Sequence, residues 1–144
     1  MQDAAKSSGL TLVPTMASRP DDLEKAFASL PQKNVGALIA LGGAPHAAQR
    51  EEIAALAIKH RTPTIFLTRP YVDAGGLLSY GASIQDSYIV PAIYVDKILK
   101  GAKPGDLPIV QPTKFELVIN LKTAKALGIT IPPSLLLRAE EVIQ

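Results

Sequence analysis

Val35-Gly36-Ala37-Leu38-Ile39-Ala40-Leu41, followed at once by Gly42-Gly43-Ala44-Pro45, is the stretch that decides the fold. A continuous run of β-prone and small apolar residues predicts a strand buried on both faces, as in a parallel sheet. The paired glycines let the backbone turn sharply. Pro45 suits the first position of a helix, where its missing N–H is no loss. A strand that passes through glycine into a helix is half of a βαβ unit. Such units place ligands beyond the carboxyl ends of their strands, so that edge is where function is expected.

The flanking segments fit the same pattern. Ser18-Arg19-Pro20-Asp21 reads as a capping box, and Leu23, Ala26, Phe27 and Leu30 recur at helical spacing until Pro31 stops them. Earlier, Leu10 to Met16 reads as a strand, with Pro14 against a central position because it lacks a ladder donor. Met1 to Gly9 has no charged region leading into an apolar one, so it does not read as a signal peptide. It reads as the end of a helix, with Lys6 in the last turn and Gly9 as the stop, and so suggests a chain that opens inside a helix. On the other side a helix is predicted from about Pro45 to His60, with Ile53, Leu56 and Ala57 toward the core. Thr64-Ile65-Phe66-Leu67 is a further short strand. This alternation predicts an α/β fold: a Rossmann-like parallel sheet flanked by helices, with right-handed crossovers.

Beyond Thr68 the pattern changes. Arg69 to Gly76 has no periodicity and ends in two glycines, which makes it the best candidate for a lobe boundary. Leu77-Leu78-Ser79-Tyr80 is a brief strand, ended by Gly81. Ser83-Ile84-Gln85-Asp86 offers a second capping box, and Tyr88, Ala92, Val95 and Leu99 follow along one helix face. Pro91 lies inside that pattern and should kink the helix or delay its start. Residues 102–112 carry three prolines and a glycine and read as an extended connector. Lys114 to Asn120 is a strand, and Lys122 to Leu127 a short helix stopped by Gly128.

Bulk properties exclude several classes. The chain has 144 residues, about one domain, and 47% of them are hydrophobic. Its longest apolar run is far short of the roughly 20 residues of a membrane span. A net charge of +2, without a basic stripe interleaved with aromatics, gives no case for nucleic acid. Zero cysteine removes thiol catalysis, disulfides and cysteine-ligated metal. Two histidines without acidic neighbours make no metal site, and no cofactor motif is present: Gly42-Gly43 lacks the lysine and hydroxyl of a phosphate loop.

Three blocks in the second half carry a family resemblance. They are Ala74-Gly75-Gly76-Leu77-Leu78-Ser79-Tyr80-Gly81, Tyr94-Val95-Asp96-Lys97-Ile98-Leu99-Lys100-Gly101-Ala102-Lys103-Pro104, and Gln111 to Asn120 running on through Lys122-Thr123-Ala124-Lys125-Ala126-Leu127-Gly128 to Pro132-Pro133. As a set they resemble bacterial ABC-transporter substrate-binding proteins of the tryptophan or aromatic amino-acid type. The resemblance implies a type I periplasmic-binding-protein fold, in which two α/β lobes joined by hinge strands close on a small ligand. It implies a full chain about twice this length, with the export signal and the first lobe's amino-terminal half upstream. Residues 1–70 would then form most of the second lobe, 71–110 the hinge crossover and return into the first lobe, and 111–144 a tail strand and helices. It further implies a periplasmic or extracytoplasmic location, an ABC permease as partner, and no enzymatic activity. The sequence departs from the resembled pattern at Pro91 and at Gly43-Ala44-Pro45-His46.

The expected ligand-binding residues gather at the predicted carboxyl edge. Gly42, Gly43 and Ala44 either turn backbone N–H groups toward a ligand carboxylate or simply form a tight turn. His46 either donates to a ligand or is a surface residue. Arg69 either pairs bidentately with a carboxylate or is solvated, and Tyr71 has the ring to stack on a ligand. Ser79 and Tyr80 lie on the expected hinge strand, where the aromatic faces either cleft or core. Catalysis has little support, since Ser79 lacks a Gly-x-Ser-x-Gly frame and no histidine–acid pair suggests a triad. Three functions remain open: a solute receptor of an importer, the effector-sensing domain of a transcription regulator with the same two-lobe fold, and a small flavodoxin-like enzyme. Uncovered hydrophobic surface in residues 76–144 also predicts self-association, as a homodimer or by exchange of an element.

Overall fold

The structure, a computed structural model, describes residues 1–144 except Gly42 and Gly43, and all side chains but those of Ala44, Pro45 and Asp86. Five strands form one sheet in the order β1 (Leu38–Ala40), β2 (Thr64–Phe66), β3 (Leu78–Ala82), β4 (Phe115–Asn120) and β5 (Glu141–Ile143). β1, β2 and β3 run parallel, as the strand–helix alternation requires. β4 returns antiparallel to β3, and β5 pairs parallel with β4. Register places Phe66, Ser79, Val118 and Glu141 in one row on one face. Ile65, Leu78, Ile119 and Val142 form a row on the other.

The apolar spacing noted above builds the core. α2 (Pro20–Ser29) and α4 (Arg50–Lys59) bury Leu23, Phe27, Ile53, Leu56 and Ala57 together with Phe66 and Tyr71. Each large side chain so buried contributes roughly 1.5–3 kcal/mol. A second cluster joins Leu77, Leu117 and Ile119 to Ala124 of α7 (Leu121–Leu127) and to Ile131, with α8 (Pro133–Leu136) packed beside it. Asn120 caps α7 by accepting from the Thr123 backbone N–H at 3.0 Å. Gly128 closes that helix in the left-handed conformation. A short helix, α1 (Gln2–Ser7), opens the chain.

Several expectations change. Leu10 to Met16 forms no strand: its residues are largely exposed, and the Leu10 N–H turns back to Ala5 O at 2.9 Å instead of joining a ladder. The strand expected at 35–41 is confined to β1, and Ile39 is half exposed because β1 lies at the sheet edge, not at its centre. The helix expected over 45–60 is two helices, α3 (Ala44–Ala47) and α4, separated at residues 48–49. The first cap lies one residue later than read: the Arg19 N–H donates to Asp22 Oδ2 at 3.1 Å, leaving Pro20 at the first helical position. Within the aperiodic stretch, Pro70–Asp73 forms α5, and Tyr71 and Val72 are buried. Gly81 lies inside β3 instead of ending it.

Past Ala82 the chain leaves the sheet. α6 (Ile84–Leu99) runs through Pro91 without a break and has Tyr88, Ile89, Ile93, Val95 and Leu99 exposed. The Tyr94 hydroxyl donates to Pro108 O, tying the helix to the extended connector that follows it. The connector ends where the Ser83 N–H donates to Lys114 O at 3.3 Å, so the outgoing and returning segments lie side by side. Among the described residues no helix is long and apolar enough to cross a membrane.

Candidate functional site

A cavity of about 260 Å³ lies at the carboxyl ends of β2 and β3. Leu67, Thr68, Arg69 and Pro70 leave β2 along one side of it, and Ser79, Gly81 and Ala82 of β3 line another. Ser83, Ile84 and Gln85, where α6 begins, and Glu116 of β4 complete the lining. The placement follows the rule for parallel sheets. It also coincides with the point where the chain leaves the sheet and returns.

Gly81 makes this corner tight. A β-carbon there would fall 1.9 Å from the Leu67 carbonyl oxygen, so only glycine admits the end of β2 this close to β3. Opposite Gly81 in the antiparallel register stands Glu116. Its carboxylate lies 4.0 Å from the Lys114 ammonium.

Ser79 is 2% exposed. It lines the cavity from β3.

Arg69 also lines the cavity, but its charge is engaged. Nη1 and Nη2 meet the two Glu141 carboxylate oxygens at 2.7 and 2.9 Å, and Nε approaches Asp73 at 3.4 Å. Glu141 belongs to β5, so the pair ties the start of α5 to the far edge of the sheet. Glu141, and after it Asp73, raise the guanidinium pKa above its already high value.

The remaining expected residues are distributed elsewhere. Gly42 and Gly43 lie outside the described residues, and Ala44 is placed in α3 without a described side chain. The His46 ring places Nε2 2.8 Å from Ala17 O, in the protonation state that makes Nε2 a donor, and so anchors the extended segment before α2. Tyr71 corrects the expectation of a ligand-stacking ring. It is buried in the core with its ring stacked on Phe66 at 5.0 Å, and that burial raises its pKa. Tyr80 points to the sheet face opposite Ser79, half exposed, and stacks on Phe115 at 5.8 Å. Thus Ser79 and Arg69 come together at the cavity. His46, Tyr71 and Tyr80 are not among its lining residues.

Glu116, Ser83 and Gln85 were not singled out in the sequence as ligand-binding residues. Glu116 becomes visible only once β4 is set antiparallel to β3 in its register. Both histidines lie away from the cavity, and no group of three His, Asp or Glu able to hold a metal occurs among the described residues. The lining offers hydrogen-bonding groups and charge.

A mostly parallel sheet flanked by helices, with a cavity at its carboxyl edge, defines a lobe of the periplasmic-binding-protein kind. The family model described as ABC transporter substrate binding protein matches residues 1–143, and the chain belongs to that family. A conserved domain protein from Vibrio cholerae O1 biovar eltor is 30% identical, with a TM-score of 0.88 over 98% of this chain and 47% of its own. The ABC domain from Streptococcus pneumonia, solved in complex with L-Trp, is 27% identical, with a TM-score of 0.86 over 99% of this chain and 49% of its own. The ligand-free, open structure of a substrate-binding protein with adhesive properties from Clostridium difficile shares the fold at 20% identity. Its TM-score is 0.67 over 99% of this chain and 48% of its own. None of the curated proteins compared matches the chain. The chain thus spans about half the length of the solved structures it matches.

Proposed function

We propose that this chain forms the carboxyl-terminal half of a two-lobe, extracytoplasmic solute receptor of an ABC importer. In this reading the receptor binds a small organic solute, an amino acid or an aromatic carboxylate, and does not transform it. Residues 1–82 supply most of one lobe, α6 and the connector after it cross into the other, and β4 to β5 return. The observation that carries the reading is the cavity at the carboxyl ends of β2 and β3, beside the paired crossings at Ser83 and Lys114. Family membership supports the same role. So does the L-Trp bound to the pneumococcal domain at 27% identity.

Bending at the two adjacent crossings would close the lobes over the cavity. The ligand drives that shift to the extent that it binds the closed form better than the open one, and the closed form is the one offered to an ABC permease. Calorimetric titration of the full-length receptor against the L-amino acids and aromatic carboxylic acids tests the reading. A saturable heat with at least one of them is expected, and no binding to any overturns it.

A further inference from the structure

Resting on that reading, we infer that Glu141, which does not line the β2–β3 cavity, is a positioning residue for solute binding: it holds the Arg69 side chain out of the space the solute fills. Arg69 is the last residue before α5, and it lines the cavity together with Leu67, Thr68 and Pro70. An unpaired guanidinium here would be a long, charged arm free to fold over the opening. It is not unpaired. Nη1 and Nη2 meet the two Glu141 oxygens at 2.7 and 2.9 Å, a two-pronged match, and Nε lies 3.4 Å from Asp73. Neither carboxylate is among the lining residues, so both draw the fork away from the cavity.

The pair joins distant parts of the chain. Glu141 lies 72 positions from Arg69, on β5 at the sheet edge. α5 has four residues, too few to hold a helical shape unaided. Tyr71 and Val72 seat it in the core, and the Arg69 fork ties down its first end. All three charged side chains are close to half exposed, at 44–48%, where an ion pair contributes little to stability. Folding alone therefore explains the arrangement poorly. Its consequence for the cavity is larger, because the space is small: about 260 Å³, against roughly 300–1,000 Å³ for a typical ligand pocket. An arginine side chain folded into it would take up room the solute needs and bring an unanswered charge.

The test is calorimetric titration of the full-length receptor, unmodified and as Glu141→Gln, with whichever L-amino acid or aromatic carboxylic acid binds the unmodified receptor most tightly. The substitution keeps the shape of the side chain and removes its charge. Affinity should fall by about fivefold or more, while the melting temperature without solute stays within about 2 °C of the unmodified receptor. Removing the arm should remove the effect: in an Arg69→Gln background, Glu141→Gln should change affinity by less than about twofold. Glu140→Gln is the neighbouring control, since that carboxylate bonds the Leu117 N–H instead, and it should leave affinity within about twofold. Unchanged or tighter binding in Glu141→Gln, or an equal loss in the absence of Arg69, overturns the inference and leaves the receptor reading standing. So does affinity lost only together with a larger fall in melting temperature, which marks a structural tie. No binding of any of these compounds by the unmodified receptor overturns both.

Discussion

The carbonyl oxygen of Leu67 occupies the space that a β-carbon on Gly81 would need, 1.9 Å from its ideal position. This approach narrows the corner between β2 and β3 and lines the cavity with backbone. Gly81→Ala must therefore push the two strand ends apart. A loss of about 1–3 kcal/mol, the range for overpacking a tight site, is expected in urea unfolding. Gly36→Ala is the control: it has open space around it and no positive φ, and should lie between neutral and about 1 kcal/mol more stable.

Asn120 ties the return strand to both halves of the core. Its side-chain oxygen accepts from Thr123 N–H at 3.0 Å, and its amide donates to Val72 O at 3.4 Å. Asn120→Ala removes a helix cap and leaves the buried Val72 carbonyl without that donor. A destabilisation of about 1–2 kcal/mol is expected, read from the midpoint of denaturant unfolding.

Acid should weaken the fold through two carboxylates. The Glu140 carboxylate accepts from the Leu117 backbone N–H at 2.6 Å, and this bond above all holds its pKa below the ordinary carboxylate value. Glu24 is lowered in the same sense, chiefly by the Lys59 ammonium at 2.7 Å and then by His60. For a lowered pKa the stabilisation is fully present above the unfolded value of about 4.3, and it is lost as pH falls through the folded one. Melting temperature should drop as pH is taken below about 4.3. Glu140→Gln should flatten that drop, and an unchanged acid slope would contradict the assignment.

The exposed side of α6 predicts association when the chain is studied alone. Tyr88, Ile89 and Ile93 line a groove around Ala92, and each is about half exposed or more. Patches of this kind seek cover. Sedimentation velocity should show concentration-dependent dimers or larger species, and Ile89→Asp with Ile93→Asp should return the chain toward a monomer. A monomer across the concentration range without these changes would contradict the prediction.

Much of the sheet was readable because local signals and tertiary structure agree. The stripe Leu23, Phe27 and Leu30, the stripe Ile53, Leu56 and Ala57, and the strand at Thr64–Phe66 all pack as their spacing implies. Reading failed where long-range pairing decides. β5 has only three residues, too few to declare a strand despite the β-prone Val142 and Ile143, and it is set by its pairing with β4. Leu10 to Met16 has strand composition but joins no ladder, and Tyr71 follows a strand end yet turns inward onto Phe66. The site was half legible for the same reason. Arg69 and Ser79 are suggested by the strand-edge rule, whereas Glu141 lies 72 positions from Arg69 and Glu116 meets Gly81 only through register.

The most direct test of where the solute sits is hydrogen exchange on the full-length receptor with and without the amino acid or acid that it binds. Closure over the cavity predicts slower exchange at Thr68–Arg69, Ser79–Gln85 and Glu116, the three segments that line it, in the bound state. Unchanged exchange in those segments, with protection confined to other parts of the receptor, would contradict the account.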